Sequence, residues 1–447
     1  MGAARAIGKE YTLKSLFTYA APTIGMMIFI SLYTMVDGFF VARYVNETAL
    51  SAINIFLPVF TLITAIALML GTGGSAIIAK KMGENHVHEA RGNFTFIVVG
   101  GAIIGLMIAL LGLTFIRPLL AFLGAGASEQ LFEYTYIYGR ILLAISPFIL
   151  IQKMFEHFFV TAGKPNLSFV ITFIGGVINI ILDYIFIAVM NMGIQGAAIA
   201  TAIGITIPAL VGIVYFIVAK ENELHFIRPK VDGKIFLKSC VNGSSELVSN
   251  LSGSVVTFAF NLLMLEYLGV DGVAAVTIML YVMLFLTSFF MGYSAGIAPI
   301  ISYNYGSRNV NQIKRIFKNS LLIIGISSIV VFGLSLLLGP LLINVMVAKD
   351  TDVYQIAIEG FRIFCFSFLF MGFNIFTSML FTALSNGKVS AIISLLRTFI
   401  FVLTGLFVLP LLIGVDGIWL AIPLAEFLAI IVCATFIFLN RKLYHYY

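Results

Sequence analysis

The chain has 447 residues, of which 61% are hydrophobic and only 10% charged, with a formal net charge of +6. That composition excludes an ordinary soluble globule, in which about 25% of residues are charged. The strongly positive mean hydropathy makes hydrocarbon the solvent for most of the chain.

Apolar stretches of about 20 residues, the length that crosses roughly 30 Å of hydrocarbon as a helix, recur twelve times. In chain order the expected spans cover approximately residues 16–42, 52–79, 94–116, 132–158, 167–190, 196–219, 239–265, 273–301, 319–345, 355–384, 391–413 and 417–439. The first span is too long for a signal peptide and is expected to be retained. Basic residues fall in alternate connections: Arg5, Lys9 and Lys14, then Lys80, Lys81 and Arg91, Lys164, the cluster Lys220, Arg228, Lys230, Lys234 and Lys238, then Arg308, Lys314, Arg315 and Lys318, Lys388, and Arg441 with Lys442, while the other connections hold only Arg43, Arg117 and Lys349. By the positive-inside rule both termini are cytoplasmic, so the net charge reflects topology and nucleic-acid binding is a poor reading of it. The sequence predicts a multi-pass protein of the plasma (inner) membrane. Cys240, Cys365 and Cys433 are odd in number and sit in apolar spans, which favours buried thiols over disulfides or a metal site.

Shifted by about 222 residues, the chain meets its own copy, and such self-similarity fixes architecture before any motif is read. Gly83-Glu84-Asn85-His86-Val87 falls on Gly306-Ser307-Arg308-Asn309-Val310. Pro118-Leu119-Leu120 falls on Pro340-Leu341-Leu342, Gly163-Lys164 on Gly387-Lys388, and Gly193-Ile194-Gln195-Gly196 on Gly414-Val415-Asp416-Gly417. Six spans per copy is an even number, so both copies enter from the cytoplasm and the repeats are parallel. The expected fold is an all-α integral membrane protein: twelve transmembrane helices in two parallel six-helix repeats around a central cavity, which rocking exposes to either side. Residues 1–219 form the N-lobe, 220–238 a cytoplasmic linker carrying Pro229 and Gly233, and 239–447 the C-lobe with a short tail. The run Gly71-Thr72-Gly73-Gly74-Ser75 lacks the lysine of a phosphate loop and reads as close helix packing, with Gly73 recurring as Gly296.

Acids inside the spans carry the functional information. An ionised carboxylate near the centre of a transmembrane helix costs roughly 2.5 to 3.5 kcal/mol on insertion scales, so it faces a cavity or a partner. Asp37 has Tyr33 one turn before it, and Asp183 has Asn179 one turn before it, so each pair shares a helix face. At 1.5 Å rise per residue, Asp37 and Asp183 lie roughly 8 to 10 Å from the outer ends of their spans, and Thr201 and Tyr138 come out at a similar depth. Carboxylate, amide and hydroxyl oxygens at one level suit a sodium ion. Burial also lifts a carboxyl pKa toward the physiological range, which suits a proton carrier. The repeat is asymmetric here: Asp37 maps to Phe260 and Asp183 to Thr404, so ion coupling is expected in the N-lobe while the C-lobe shapes the cavity.

These residues resemble the multidrug and toxic compound extrusion (MATE) transporters over essentially the whole chain, closest in look to the bacterial MepA-like and DinF-like members. The likeness is carried by Pro22, Tyr33 and Asp37 in the first span, Asn179 and Asp183 in the fifth, Gly196-Ala197-Ala198-Ile199-Ala200-Thr201 in the sixth, and the segments Gly83 to Arg91 and Gly306 to Lys314. The resemblance implies that Asp37, Asn179, Asp183, Thr201, Tyr33 and Tyr138 form the cation site of the N-lobe, and that the first span bends at Pro22. Members with further acids central to spans seven and ten are not matched, since only Glu246 lies early in span seven. Glu246 is the candidate acid of the substrate cavity, against an ion pair with Lys238, and Phe260 is a candidate lining aromatic. Glu156 is expected to pair with Lys153, and Arg397 to bind backbone carbonyls or reach an interface.

The function so implied is a secondary active multidrug efflux antiporter that exports amphipathic, cationic compounds in exchange for H+ or Na+. An aromatic lining with a few acids suits such cations. No cofactor beyond the coupling ion is expected, no metal site apart from sodium at Asp37, Asn179, Asp183 and Thr201, and no partners beyond lipids, with the chain a monomer. A flippase for a lipid-linked saccharide is the alternative, although such proteins carry a more basic cavity. An intramembrane enzyme is a remote third, because the few histidines fall mostly in loops or at span ends.

Overall fold

Hydrocarbon offers a peptide group no water to bond, so a chain this apolar must satisfy its backbone within helices. The computed structural model describes residues 7–218, 224–229 and 231–446, with the side chains of 37–44 and 47 outside that description. Among the described residues, the regular structure is helical throughout. The first half contains α1 (Leu13–Tyr44), α2 (Glu47–Gly83), α3 (Val87–Thr114), the short α4 (Ile116–Phe122), α5 (Glu129–Ala144), α6 (Ser146–Thr161), α7 (Pro165–Asp183) and α8 (Gly193–Val218). The second half contains α9 (Gly233–Gly306), α10 (Val310–Met346), α11 (Asp352–Phe364), α12 (Phe368–Ala383), α13 (Gly387–Leu395), α14 (Phe401–Ile413) and α15 (Val415–Tyr444).

These helices make the twelve expected crossings. α5 and α6 meet at a 58° bend and together form one span. α11 with α12 and α13 with α14 likewise form one each, Asp352–Ala383 and Gly387–Ile413. α9 runs for 74 residues but is broken at Gly269, whose φ of 67° and ψ of −154° are not helical. At 1.5 Å per residue its length of about 111 Å exceeds any single crossing, so it supplies two. Polar caps start several helices: Asn46 Oδ1 accepts the Ala49 N–H at 2.8 Å, Ser128 Oγ the Leu131 N–H at 3.2 Å, and Asn309 Oδ1 the Gln312 N–H at 3.2 Å.

The duplication is visible in the turns. Asn85 and Arg308 both take the left-handed conformation, with φ of 61° and 56°. Asn85 N–H donates to Met82 and His86 N–H to Lys81, as Arg308 N–H donates to Tyr305 and Asn309 N–H to Asn304. The next repeated turn corrects the sequence register: Gly163 (φ 72°) matches Ser385 (φ 61°), not Gly387. The bonds Gly163 N to Val160 O and Lys164 N to Phe159 O recur as Ser385 N to Thr382 O and Asn386 N to Phe381 O. The Gly-Lys pair recurs two residues too late to occupy the same turn. Gly193 and Gly414, matched as expected, have φ of 58° and 65°.

The described chain packs as two units, one gathering Phe29–Gly243 and the other Glu10–Ile28 with the chain from Ser244 onward. Within the first unit, Phe94 is ringed by Phe158, Phe216 and Phe226 at centroid distances of 5.2, 4.8 and 5.0 Å. Phe226 belongs to the stretch expected as a linker, and its neighbour Ile227 donates its N–H to Thr95 Oγ1 at 3.1 Å. That part of the connection is therefore packed into the unit. Gly73 performs the packing expected of it, since a Cβ there would lie 2.0 Å from the Ser239 carbonyl oxygen and 2.6 Å from the Gly243 nitrogen. In the second unit its repeat mate Gly296 faces Ala20, with a Cβ 3.1 Å from the Ala20 Cα, and Gly292 faces Ile24. Small residues thus let backbones meet at matching places in both units.

Gly243 tests this packing most sharply, because a Cβ there would lie 1.9 Å from the Met69 carbonyl oxygen, whereas Gly253 has nothing within 4 Å. Gly243→Leu is expected to destabilise by about 1 to 3 kcal/mol or more through overpacking. Gly253→Leu should melt like the parent. Thermal melting of both purified variants checks this, and an unchanged Gly243→Leu transition would contradict it.

Candidate functional site

The site begins with two glycines. On α7 and α8, Gly175 and Gly204 oppose each other so closely that a Cβ on Gly175 would lie 2.7 Å from the Gly204 oxygen. A Cβ on Gly204 would meet the Asn179 Cβ at 2.8 Å. Asn179 is therefore pressed against α8 and is 4% exposed. Asp183, one turn further along the same face, is 0% exposed. Thr201 lies three residues before Gly204 on the meeting face of α8 and is half-buried. The Asn179 Nδ2 donates to no acceptor among the described residues.

α1 closes on the same region. A Cβ on Gly176 would lie 2.5 Å from the Phe29 ring and 3.4 Å from the Tyr33 ring, so the absence of a side chain there lets both aromatics settle on α7. Their rings are 5.7 Å apart. Tyr33, Asn179, Asp183 and Thr201 thus come from three helices that meet at one junction. Asp37 lies four residues after Tyr33 in α1, and its side chain falls outside the described residues. Tyr138 is buried on α5 and meets Phe56 of α2 edge to face at 6.0 Å, while α5 also packs along α8.

The backbone at Asp183 carries a feature that the composition does not announce. α7 ends at Asp183 and runs on as a π-helical turn, Tyr184–Val189. Such turns insert an extra residue into a helix and occur frequently at functional sites.

The second unit is arranged differently. Pro22 lies inside α1, where it removes a helical hydrogen bond beside the close contact of Ile24 with Gly292. Glu246 is half-buried on α9. Among the described residues, Glu246 forms no ion pair with Lys238. Phe260 is fully buried in an apolar cluster with Val256, Leu263 and Met264, so its ring serves packing between helices. Arg397 departs from expectation: its Nε donates to Glu426 Oε1 at 2.8 Å and Oε2 at 3.0 Å, instead of reaching backbone carbonyls or an interface. Asn374 Nδ2 adds a bond to Glu426 Oε2 at 2.7 Å. Arg397 itself stands in a second π-helical turn, Leu396–Ile400.

Removing one partner of a buried ion pair costs about 3 to 5 kcal/mol, because the other charge is left without compensation. Glu426→Leu should therefore lower the melting temperature more than the double change Arg397→Met/Glu426→Leu. Equal or smaller loss in the single variant would contradict the pairing.

Comparison with known proteins agrees with this architecture. The MatE family model matches residues 22–185 and 247–407. The multidrug export protein MepA of Staphylococcus saprophyticus is 25% identical over 449 residues, covering 97% of this chain and 95% of its own length. MepA of Staphylococcus aureus strain MSSA476 is 25% identical over 446 residues with the same coverage. A solved structure described as the outward-facing conformation of a multidrug resistance MATE family transporter superposes with a TM-score of 0.92 at 22% identity, covering 100% of this chain and 99% of that one. The two repeated halves, the helical junction and the matched segments together place this chain in the MatE family of membrane transporters.

Proposed function

We propose that the chain is a secondary antiporter that expels amphipathic, cationic compounds from the cytoplasm in exchange for H+ or Na+. The observation that carries this reading is the junction of α1, α7 and α8, where Asp183 and Asn179 are buried beside Thr201 and Tyr33. A carboxylate at such depth costs roughly 2.5 to 3.5 kcal/mol on insertion scales, an expense that transport of a cation explains and helix packing does not. The multidrug export activity named for the MepA relatives supports the substrate class, and their similarity runs along nearly the whole chain.

In this reading the N-lobe, residues 1–219, binds the coupling ion, and the C-lobe from residue 239 supplies the surface against which substrate is held. Asp37 and Asp183 carry the negative charge, and Asn179, Thr201, Tyr33 and Tyr138 supply neutral oxygens. Binding of the ion and binding of the drug bias the two lobes toward opposite openings, which is alternating access in a parallel-repeat transporter. Glu246 offers an acid to an organic cation on the cytoplasmic side. The chain works as a monomer in the plasma membrane with both termini cytoplasmic.

Everted membrane vesicles loaded with a fluorescent cationic dye, challenged in turn with proton and sodium gradients, test the proposal. Dye movement should follow one of the two gradients, and movement driven by neither would sink it. Asp37→Asn should lower coupled efflux by at least about tenfold while the protein still inserts. Unchanged drug resistance in cells carrying that variant would remove Asp37 from the mechanism.

A further inference from the structure

Two bases buried inside the spans have acid partners: Lys153 Nζ donates to Glu156 Oε1 at 2.9 Å, and Arg397 Nε to Glu426 Oε1 at 2.8 Å. Arg117 and Arg140 of the first unit are placed differently. Both are exposed, and among the described residues neither forms an ion pair, with Glu129 and Glu133 of α5 or with any other acid. What the two guanidiniums share is one aromatic ring. The Arg117 Cζ lies 5.9 Å and the Arg140 Cζ 5.7 Å from the centroid of Tyr136. Each cation is drawn to the face of the ring, but the pair gathers two like charges around a single side chain with no anion between them.

Their depth follows from the helices that carry them. α5 and α6 form one bent span, Glu129–Thr161. Arg140 stands about 20 residues before Thr161, roughly 30 Å of helix rise, and so a full hydrocarbon thickness from that end of the span. Arg117 comes just after the end of α3 at Thr114, in the first turn of α4, which packs along α5. Both arginines therefore sit at one membrane boundary, the one opposite the Gly163–Lys164 turn. The chain on either side of Arg117 offers apolar surface: Leu111, Phe115 and Phe122 are 61%, 58% and 88% exposed. The repeat supplies a contrast. Arg140 recurs as Arg362, which is also exposed, but Arg117 maps to Gly339 and Tyr136 to Ile358, so the second copy has neither the shared ring nor the second base.

We propose that Arg117, Arg140 and Tyr136 form a headgroup site for an anionic phospholipid of the leaflet at that boundary, with the phosphate held by the two guanidiniums and the acyl chains lying on Leu111 and Phe115. A guanidinium presents a planar fork of N–H donors that matches phosphate oxygens in pairs, and the tyrosine hydroxyl is a further donor. Net charge selects the lipid. An anionic headgroup offsets the like charges gathered on the ring, whereas a zwitterionic one brings an ammonium of its own to the same place. The apolar surface selects a lipid over free phosphate, since a soluble anion would leave the exposed Leu111 and Phe115 uncovered.

The test uses the purified full chain in a neutral detergent, with native mass spectrometry scoring the retention of added phosphatidylglycerol against phosphatidylcholine at equal concentration. The unsubstituted chain should retain phosphatidylglycerol at least about fivefold in preference. Arg117→Gln/Arg140→Gln should bring that preference below about twofold. Arg362→Gln, the matching change in the second unit, should leave it as in the unsubstituted chain, and a large excess of inorganic phosphate should not displace the lipid. An unsubstituted chain without preference, a double variant that keeps it, or an equal loss in Arg362→Gln overturns the site. Displacement by inorganic phosphate overturns the lipid assignment and gives the site to a free anion. If the double variant cannot be purified, Arg140→Gln alone decides: it should lose at least about half of the preference, and full retention would overturn the proposal. Because the readout is binding, its outcome is independent of whether the chain exchanges drug for H+ or Na+.

Discussion

Hydrocarbon gives a buried charge no solvent, and this single constraint accounts for the ion pairs described inside the spans. A charge there must meet an opposite charge, a set of dipoles or a transported ion. Lys153 meets Glu156 on α6, and Arg397 meets Glu426 across α14 and α15 through the π-helical turn between α13 and α14. Asp183 lies fully buried where α7 joins α8, together with Asn179. The close backbone approach at Gly175 and Gly204 makes that junction, because no side chain stands between the two helices. Local geometry, polar clustering and the need for a counter-charge therefore converge on one place in the first unit.

Duplication explains why the other unit differs. Both copies keep their turns, down to the left-handed residues Asn85 and Arg308 and the paired backbone bonds around them. What diverged is the chemistry inside the spans. Where the first copy has Asp37, the second has Phe260, which is fully buried and belongs to an apolar cluster. Where the first copy keeps Asp183 one turn from Asn179, both buried, the second has an arginine held by a glutamate and an asparagine. One scaffold thus supports an acidic junction in one unit and a compensated pair in the other.

Much of this was legible in the residues because the signals are strong and local. Twelve apolar stretches, the parallel repeat, the packing role of Gly73 and the Lys153–Glu156 pair follow from length, spacing and i,i+3 neighbours. Other features leave no such trace. Arg397 and Glu426 lie in successive spans, and their pairing depends on how two helices pack, although a lone base and a lone acid in neighbouring apolar spans is a usable hint. The π-helical turn after Asp183 has no composition of its own. The match of Gly163 to Gly387 went astray because a repeated dipeptide outweighed a turn whose left-handed residue is Ser385 in the second copy. Phe260 and the docked Phe226 show that an aromatic's neighbours are set by tertiary packing, which spacing along the chain does not encode.

In the proposed antiport, the buried Asp183 of the first unit links ion movement to drug movement without being needed to carry the drug itself. The most direct measurement compares Asp183→Asn with the unsubstituted chain in liposomes, scoring dye counterflow at equal ion concentrations and uphill efflux under an ion gradient. The account predicts that counterflow persists while uphill efflux is lost. Uphill efflux within about twofold of the unsubstituted chain would contradict it.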